Sequence, residues 1–495
     1  MKLYKLAIIW LLPALAFAQS SFRLSELNLK SEIRDVLPAD LDQDGIKELL
    51  VISHNNLNGK DKAYLTVFRA DSDTNYQQKN SLTIELPERF VIYDSGVLPG
   101  EKGQVVIFLS KQGVEYYRYL GSHLEGPIHL LNFSGPFLFQ LPAPAKLVYY
   151  HFLYDFNQDG INEILIFSFG FAQIFYYRDS IWQETSIEIP LELNYLTIPQ
   201  LRKIFPHSEI EVSYYTPNFF TADLEGDKKP ELFAISDGLV WIYRQNSQGI
   251  FNSQPCFRLN LKPPEYKPRP RERGMLNLQI ADLDDDRKAD LILNHQSGTF
   301  FNQKANLKIY LGKQQWWLNN PLPIKNWNFS SWLIGPFVRD INSDKNNDLI
   351  VPTIQIGIVS AAKVMLTNNF PFDWRYYLSI NHTLPNEPTH IEQLNLRIDF
   401  QEGRMIGGFP NLFGDFNGDG VDDLIYGKSS QELVVVIKDQ RGRRTNQQEI
   451  ISVPIGLVPS IEDLNGDQKD DIILTYPQDP IRKSEFRVLV NKGAW

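Results

Sequence analysis

The stretch ADLDQDG at residues 39–45 sets three aspartates on alternate positions, Asp40, Asp42 and Asp44, and follows them with Gly45, Glu48 and the apolar run LLVIS. Carboxylates this close repel one another unless a cation sits among them. Alternate side chains of a tight loop can converge on one point, and calcium takes six to eight oxygen ligands from carboxylates, amides and backbone carbonyls. Counting Asp40 as position 1, the ligand set reads Asp40, Asp42, Asp44, the carbonyl of Ile46 and Glu48, with Gly45 at position 6 to allow a positive φ. An EF-hand places its bidentate Glu at position 12 between helices. Here position 12 is Val51, inside a β-like run, so that reading fails. Zinc and magnesium fit an all-oxygen, carboxylate-rich set less well than calcium.

The pattern recurs six times, each copy followed by an apolar run. The further ligand sets are Asp155, Asn157, Asp159, Ile161 and Glu163; Asp223, Glu225, Asp227, Lys229 and Glu231; and Asp282, Asp284, Asp286, Lys288 and Asp290. They continue with Asp340, Asn342, Asp344, Asn346 and Asp348; Asp415, Asn417, Asp419, Val421 and Asp423; and Asp463, Asn465, Asp467, Lys469 and Asp471. Up to seven Ca2+ sites follow. Gly160 and Gly420 keep glycine at position 6, whereas Lys228, Arg287, Lys345 and Gln468 replace it. A non-glycine residue in a left-handed conformation costs about 1 kcal/mol, so the Lys and Arg loops are expected to bind more weakly or bend differently.

The interval from Asp40 to Asp155 is about double the others, and GVLPGEKGQVVIFLS, starting at Gly96, supplies an eighth unit without acids. Each unit reads as four short strands, A to D. Strand A leads into the acidic loop, B is the apolar run, C is rich in Tyr and Val, and D is amphipathic. Four strands per unit over many units describe an all-β chain folded as a β-propeller better than a sandwich or a solenoid. The last unit stops after its strand C, while FRLSELNLK near the N-terminus is a spare D-like strand. Pairing the two would close the ring and hide two sheet edges. DxDxDGxxD followed by an apolar strand, and then by a strand ending in an Asn/Gly turn, resembles the FG-GAP and VCBS repeats of integrin α-subunit propellers and secreted bacterial proteins. The resemblance implies a calcium-binding propeller and leaves the biological role open among adhesion, lectin, lyase-associated and assembly proteins. The integrin-like ring has seven blades, against the eight units counted here.

The first residues, MKLYKLAIIWLLPALAFAQS, put two lysines before a short apolar stretch that ends in Ala-Phe-Ala. This is the pattern of a signal peptide over residues 1–18, with an uncleaved anchor disfavoured by Pro13. A secreted or periplasmic single domain over residues 19–495 is expected, with no membrane span. Cys256 is the one cysteine, so no internal disulfide can form, and it is expected to be a small buried apolar residue. The net charge of −10 argues against nucleic acid as a partner. Much of it belongs to the acidic loops, where seven divalent ions would turn it slightly positive.

No HExxH, GxSxG or P-loop pattern is present, and the eight histidines lie without metal-ligand spacing. Two D–A connections are long: residues 193–213, and residues 263–274, where Lys267, Arg269, Arg271 and Arg273 surround Tyr266. A basic loop stiffened by proline suits an acidic glycan or protein partner. The sequence therefore points to a monomeric binding module for a protein or glycan. A polysaccharide lyase or hydrolase, or an assembly scaffold, stands as the alternative.

Overall fold

The computed structural model describes residues 20–57, 60–72, 74–133, 147–196, 211–264, 275–299, 301–319, 321–355, 357, 364, 367–399, 404–406, 411–456, 458–493 and 495. Residues 1–18, read as a signal peptide, lie outside them. Nearly every element is a strand, and the strands form eight antiparallel blades, so the eight-unit count holds. Blade 1 is representative: strand A Glu32–Ala39, B Glu48–Leu57, C Lys60–Ala70 and D Tyr76–Glu85 pair in that order.

Blade 2, the unit without acids, has strands Ile92–Val97, Gln104–Ser110, Gly113–Tyr119 and Leu124–Leu131. Blade 3 runs Leu153–Tyr154, Glu163–Phe167, Phe171–Arg178 and Ile181–Glu188, and blade 4 runs Asn218–Ala222, Glu231–Ser236, Leu239–Tyr243 and Phe257–Asn260. Blade 5 follows with Met275–Ala281, Asp290–Thr299, Asn302–Tyr310 and Lys325–Phe329. Blade 6 has a split strand A (Trp332–Leu333 and Phe337–Arg339) before Asp348–Ile354, Asn369–Tyr377 and His390–Asp399. Blade 7 consists of Asn411–Gly414, Asp423–Ser429, Glu432–Lys438 and Arg444–Ser452.

Blade 8 takes strands A to C from Ser460–Glu462, Asp471–Thr475 and Glu485–Asn491. Its strand D is Phe22–Asn28, antiparallel to strand C from Phe22 opposite Asn491 to Asn28 opposite Glu485. The ring is thus closed by the N-terminal strand, as the spare D-like sequence implied.

Strand B carries a continuous apolar run after its first residue because both of its faces are covered there. In blade 1, Leu49 and Val51 pack toward blade 8, while Leu50 and Ile52 pack toward blade 2. The core is accordingly a ring of eight clusters, each straddling two neighbouring blades. Aromatic residues fill it, with Tyr93, Tyr176, Tyr243, Tyr376 and Phe108 among the largest fully buried side chains. A strands of neighbouring blades approach one another, which sets A at the inner edge and D at the rim.

Two details depart from expectation. The connection at residues 193–213 is in part a hairpin of its own, with Glu192–Leu196 antiparallel to Glu211–Tyr215. Cys256 is exposed rather than buried, and its thiol donates to the Ile242 carbonyl at 3.2 Å. It immediately precedes the rim strand of blade 4, where alternate residues face outward.

Candidate metal centre

Each acidic loop starts where strand A ends and closes on the first residue of strand B. The position-9 acids Glu48, Glu163, Glu231, Asp290, Asp348, Asp423 and Asp471 all open a B strand, and none is more than 3% exposed. Each accepts a hydrogen bond from the position-2 amide: Leu41, Phe156, Leu224, Leu283, Ile341, Phe416 and Leu464 donate over 2.6 to 3.1 Å. Where position 9 is Asp, its second oxygen accepts from the amide just beyond strand C or at its end, namely Gly312, Ser379, Lys438 and Asn491. The position-1 aspartates accept from the position-6 amide in all seven loops, and the position-5 acids accept from the position-7 amide wherever described. The side chains are folded inward on one another by the backbone itself.

Position 6 has positive φ in every loop: 86° at Gly45, 84° at Gly160 and 82° at Gly420, but also 67° at Lys228, 64° at Arg287, 67° at Lys345 and 66° at Gln468. The Lys and Arg loops therefore bend as the glycine loops do, which removes a different bend from the two expected outcomes. The shared amide-to-Asp bonds hold the turn, and each non-glycine residue there bears about 1 kcal/mol of strain. Position 4 is left-handed too, at Gln43, Gln158, Gly226, Asp285, Ser343, Gly418 and Gly466.

Burial dominates the electrostatics. It pushes Glu48, Glu231, Asp290, Asp348, Asp423 and Asp471 up to about 7 and Glu163 up to about 8. An ionised carboxylate in such a place needs a positive partner. In two loops, Asp40 with Asp42 and Glu48, and Asp282 with Asp284 and Asp290, three carboxylates offer oxygens within 4.8 Å of one another. Asp42 Oδ1, Asp282 Oδ1 and Asp284 Oδ1 are buried with no hydrogen-bond partner among the described residues. These clusters could hold a metal ion, and the unpartnered oxygens fit one. Asp44 and Asp286, at position 5, stand outside the two triads. Nearby cations also reach the loops: Arg69 lies 3.6 Å from Asp42, Lys313 lies 2.5 Å from Asp284, and Arg244 pairs with Glu225, drawing that position-3 acid toward it.

Residues 223–293 match the family model of the FG-GAP-like repeat. They contain the acidic loops that begin at Asp223 and Asp282, with strands B to D of blade 4 and strand A of blade 5 between them. The chain carries an FG-GAP-like repeat. No curated protein sequence matches it. Among solved structures, BBS1N in complex with ARL6DN aligns at 10% identity over 96% of this chain and 98% of that one, with a TM-score of 0.39. A lectin of Agrocybe aegerita that recognises non-reducing terminal N-acetylglucosamine aligns at 14% identity over 94% and 87%, TM-score 0.33. The exotype rhamnogalacturonan lyase YesX aligns at 12% over 95% and 76%, TM-score 0.35. At these scores none of them bears on what the chain does.

Hydrogen bonds between successive repeats link the acidic loops into a closed belt, which the spacing of acids did not reveal. The position-8 amide of one FG-GAP-like loop donates to a carbonyl at position 1 or 2 of the preceding loop: Lys47 to Leu464 at 2.8 Å, Ala289 to Asp223 at 2.8 Å, Asp422 to Ile341 at 3.1 Å and Asp470 to Asp415 at 2.8 Å. Blade 2 joins through Gln104 to Asp40 at 2.9 Å and Asn162 to Val97 at 3.0 Å. Asn347 uses its side-chain amide, which reaches the Asp282 carbonyl at 2.6 Å. Position 8 of the fourth blade is Pro230, which has no N–H. There the side chain of Gln245 bridges instead, donating to Phe156 O at 3.3 Å and Pro230 O at 2.8 Å. Gln245→Leu is expected to cost about 1–3 kcal/mol, the price of leaving partly buried carbonyls unsatisfied. Pro230→Ala in the same chain should recover part of the loss by restoring the amide. Equal melting temperatures for wild type and Gln245→Leu would show that the belt contributes nothing at that joint.

Tyr266, Lys267, Arg269, Arg271 and Arg273 lie outside the described residues. No described helix is long and apolar enough to cross a membrane.

Proposed function

We propose that the chain is a calcium-binding β-propeller, with up to seven Ca2+, that works as a secreted or periplasmic binding module for a protein or glycan. The observation that carries the metal assignment is the set of buried, unpartnered oxygens of Asp42, Asp282 and Asp284 beside position-9 acids whose ionisation burial opposes. Calcium supplies the charge these oxygens lack and accepts the all-oxygen donor set. The residues that would hold it are those at positions 1, 3, 5 and 9, with the position-7 carbonyls. With the acidic loops committed to holding the ring, the opposite face, formed by B–C and D–A connections, is left for a partner.

A second reading, an enzyme acting on polysaccharide, is favoured by one pair. His151 donates from Nδ1 to Asp94 Oδ2 at 3.0 Å, and that oxygen also accepts from the amides of Phe152 and Leu153. Asp94 is buried on the inner strand of blade 2 while the His151 side chain is half-exposed, so the ring is held with Nε2 available as a base. A glycan-array and pull-down screen run with calcium, with the glycans inspected afterwards for cleavage, separates the readings. Retained, intact ligand supports the binding module, chain scission supports the enzyme, and silence in every arm sinks both.

A further inference from the structure

The interface of blades 6 and 7 contains a cleft of about 350 Å³ that the metal reading does not use. Its wall on blade 6 is the outward face of strand D together with the start of strand C. Its wall on blade 7 is the far half of strand B. Asn369, Asn395 and Arg397 come from the first, Tyr426 and Lys428 from the second, and Arg444 enters from strand D of blade 7. Strand B starts at the acidic loop and runs away from it, so Lys428 lies at the end remote from the metal sites.

The charge of this cleft runs against that of the chain. Arg444 is already held, paired to Glu392 and with its guanidinium 5.7 Å over the Tyr426 ring. Among the described residues, the ion pair of Lys428 is a long one, 4.0 Å, to Glu432. Arg397 donates one N–H to the Lys428 carbonyl at 3.2 Å and has no carboxylate partner among the described residues. Buried Lys438 also lies 3.8 Å from Glu392, so that carboxylate is shared between two cations. Asp373 at the rim is engaged by Gln393 at 2.9 Å and Arg375 at 3.8 Å. Among the described residues, cations therefore outnumber carboxylates here, in a chain whose net charge is −10.

We propose that this cleft binds an acidic saccharide through a sugar carboxylate, of the uronic-acid class. Arg397 presents a planar fork that matches a carboxylate, and Lys428 adds a point charge beside it. Asn369 and Asn395 supply amide donors and acceptors suited to ring hydroxyls, and Tyr426 offers an aromatic edge. The volume suits one or two sugar units. An acidic peptide is disfavoured because Leu394, the aliphatic side chain of the lining, is 5% exposed and offers no anchor, and Tyr426 is partly covered by the Arg444 guanidinium. The proposal deepens the binding-module reading and rests on it.

The test is calorimetric titration of the calcium-loaded full chain with trigalacturonate, with the matching neutral galactose trimer, and with a hexaglutamate peptide. Trigalacturonate alone should bind. Arg397→Ala with Lys428→Ala should weaken it by roughly 10-fold or more, as loss of two charged contacts implies. Arg397→Lys should recover only part, since it restores charge without the fork. Both substituted residues are exposed, so an unchanged melting temperature certifies the fold. Binding of hexaglutamate in preference, or of the neutral trimer equally, overturns the proposal. If trigalacturonate does not bind while another glycan or a protein does, the cleft assignment falls and the binding-module reading survives. If nothing binds in any format, both fall.

Discussion

Stripping calcium with a chelator is expected to lower the melting temperature by on the order of 10 °C or more. A ligand present at a hundredfold its Kd stabilises the native state by about 2.7 kcal/mol per site. A few occupied loops would therefore match the roughly 5–15 kcal/mol that separates a typical fold from its unfolded chain. The geometry explains why the loss should spread beyond the loops. The position-9 acids are buried and cluster with other carboxylates, so without a cation their ionisation opposes folding. The same loops carry the belt that joins each blade to the one before it, so a loosened loop frees its neighbour's carbonyl. Readding Ca2+ should restore the midpoint, and metal analysis of the native protein should return several calcium ions per chain. An unchanged midpoint together with no bound metal would refute the assignment. Bound magnesium or zinc in place of calcium would refute the choice of ion while keeping the sites.

The architecture was legible because the acidic pattern marks one place per blade and the apolar run after it marks a strand buried on both faces. Strand B of blade 1 carries both signals, with Glu48 at its first residue and Leu49 to Ile52 divided between two interfaces. The unit at Gly96 was legible from its strands alone, although it has no acids. What the spacing hid was the work of residues with no charge. Position 4 turns left-handed in every loop, yet Gln43, Gln158 and Ser343 hold it as well as glycine does, because the constraint comes from amides donating to the position-1 aspartate. Except at Asn347, where the side-chain amide does the work, position 8 links the blades through the backbone N–H, which any residue but proline provides. Pro230 was the one visible clue, and its substitute, Gln245, comes from a distant strand end that no linear pattern connects to it. The charged cleft between blades 6 and 7 was equally hidden, since Arg397, Lys428 and Arg444 belong to separate strands. The basic stretch at residues 263–274, by contrast, is continuous in the chain and visible to a linear reading.

Deleting the strand Phe22–Asn28 is expected to have an effect as large as removing calcium. That segment forms seven residue pairs with Glu485–Asn491 and is the whole of strand D in blade 8. Phe22 packs in the cluster between blades 7 and 8, with its ring 5.9 Å from Phe416, and Leu27 packs between blades 8 and 1, so the strand contributes to two interfaces at once. Truncating a buried Phe or Leu to Ala costs about 2–5 kcal/mol each, and the deletion also bares the edge of Glu485–Asn491, a template for pairing with other chains. The shortened protein, with residues 1–21 kept, should aggregate or elute as mixed species on size exclusion rather than melt in one transition. A synthetic peptide of the Phe22–Asn28 sequence added in excess during refolding should return part of it to the monomeric fraction, because the acceptor edge and both apolar pockets are formed by the remaining blades. The double substitution Phe22→Ala with Leu27→Ala keeps the backbone pairing and should fall between wild type and deletion in stability. A deletion that melts like wild type would mean that the ring does not depend on this closure, and the N-terminal strand would then be an accessory to blade 8 rather than its fourth member.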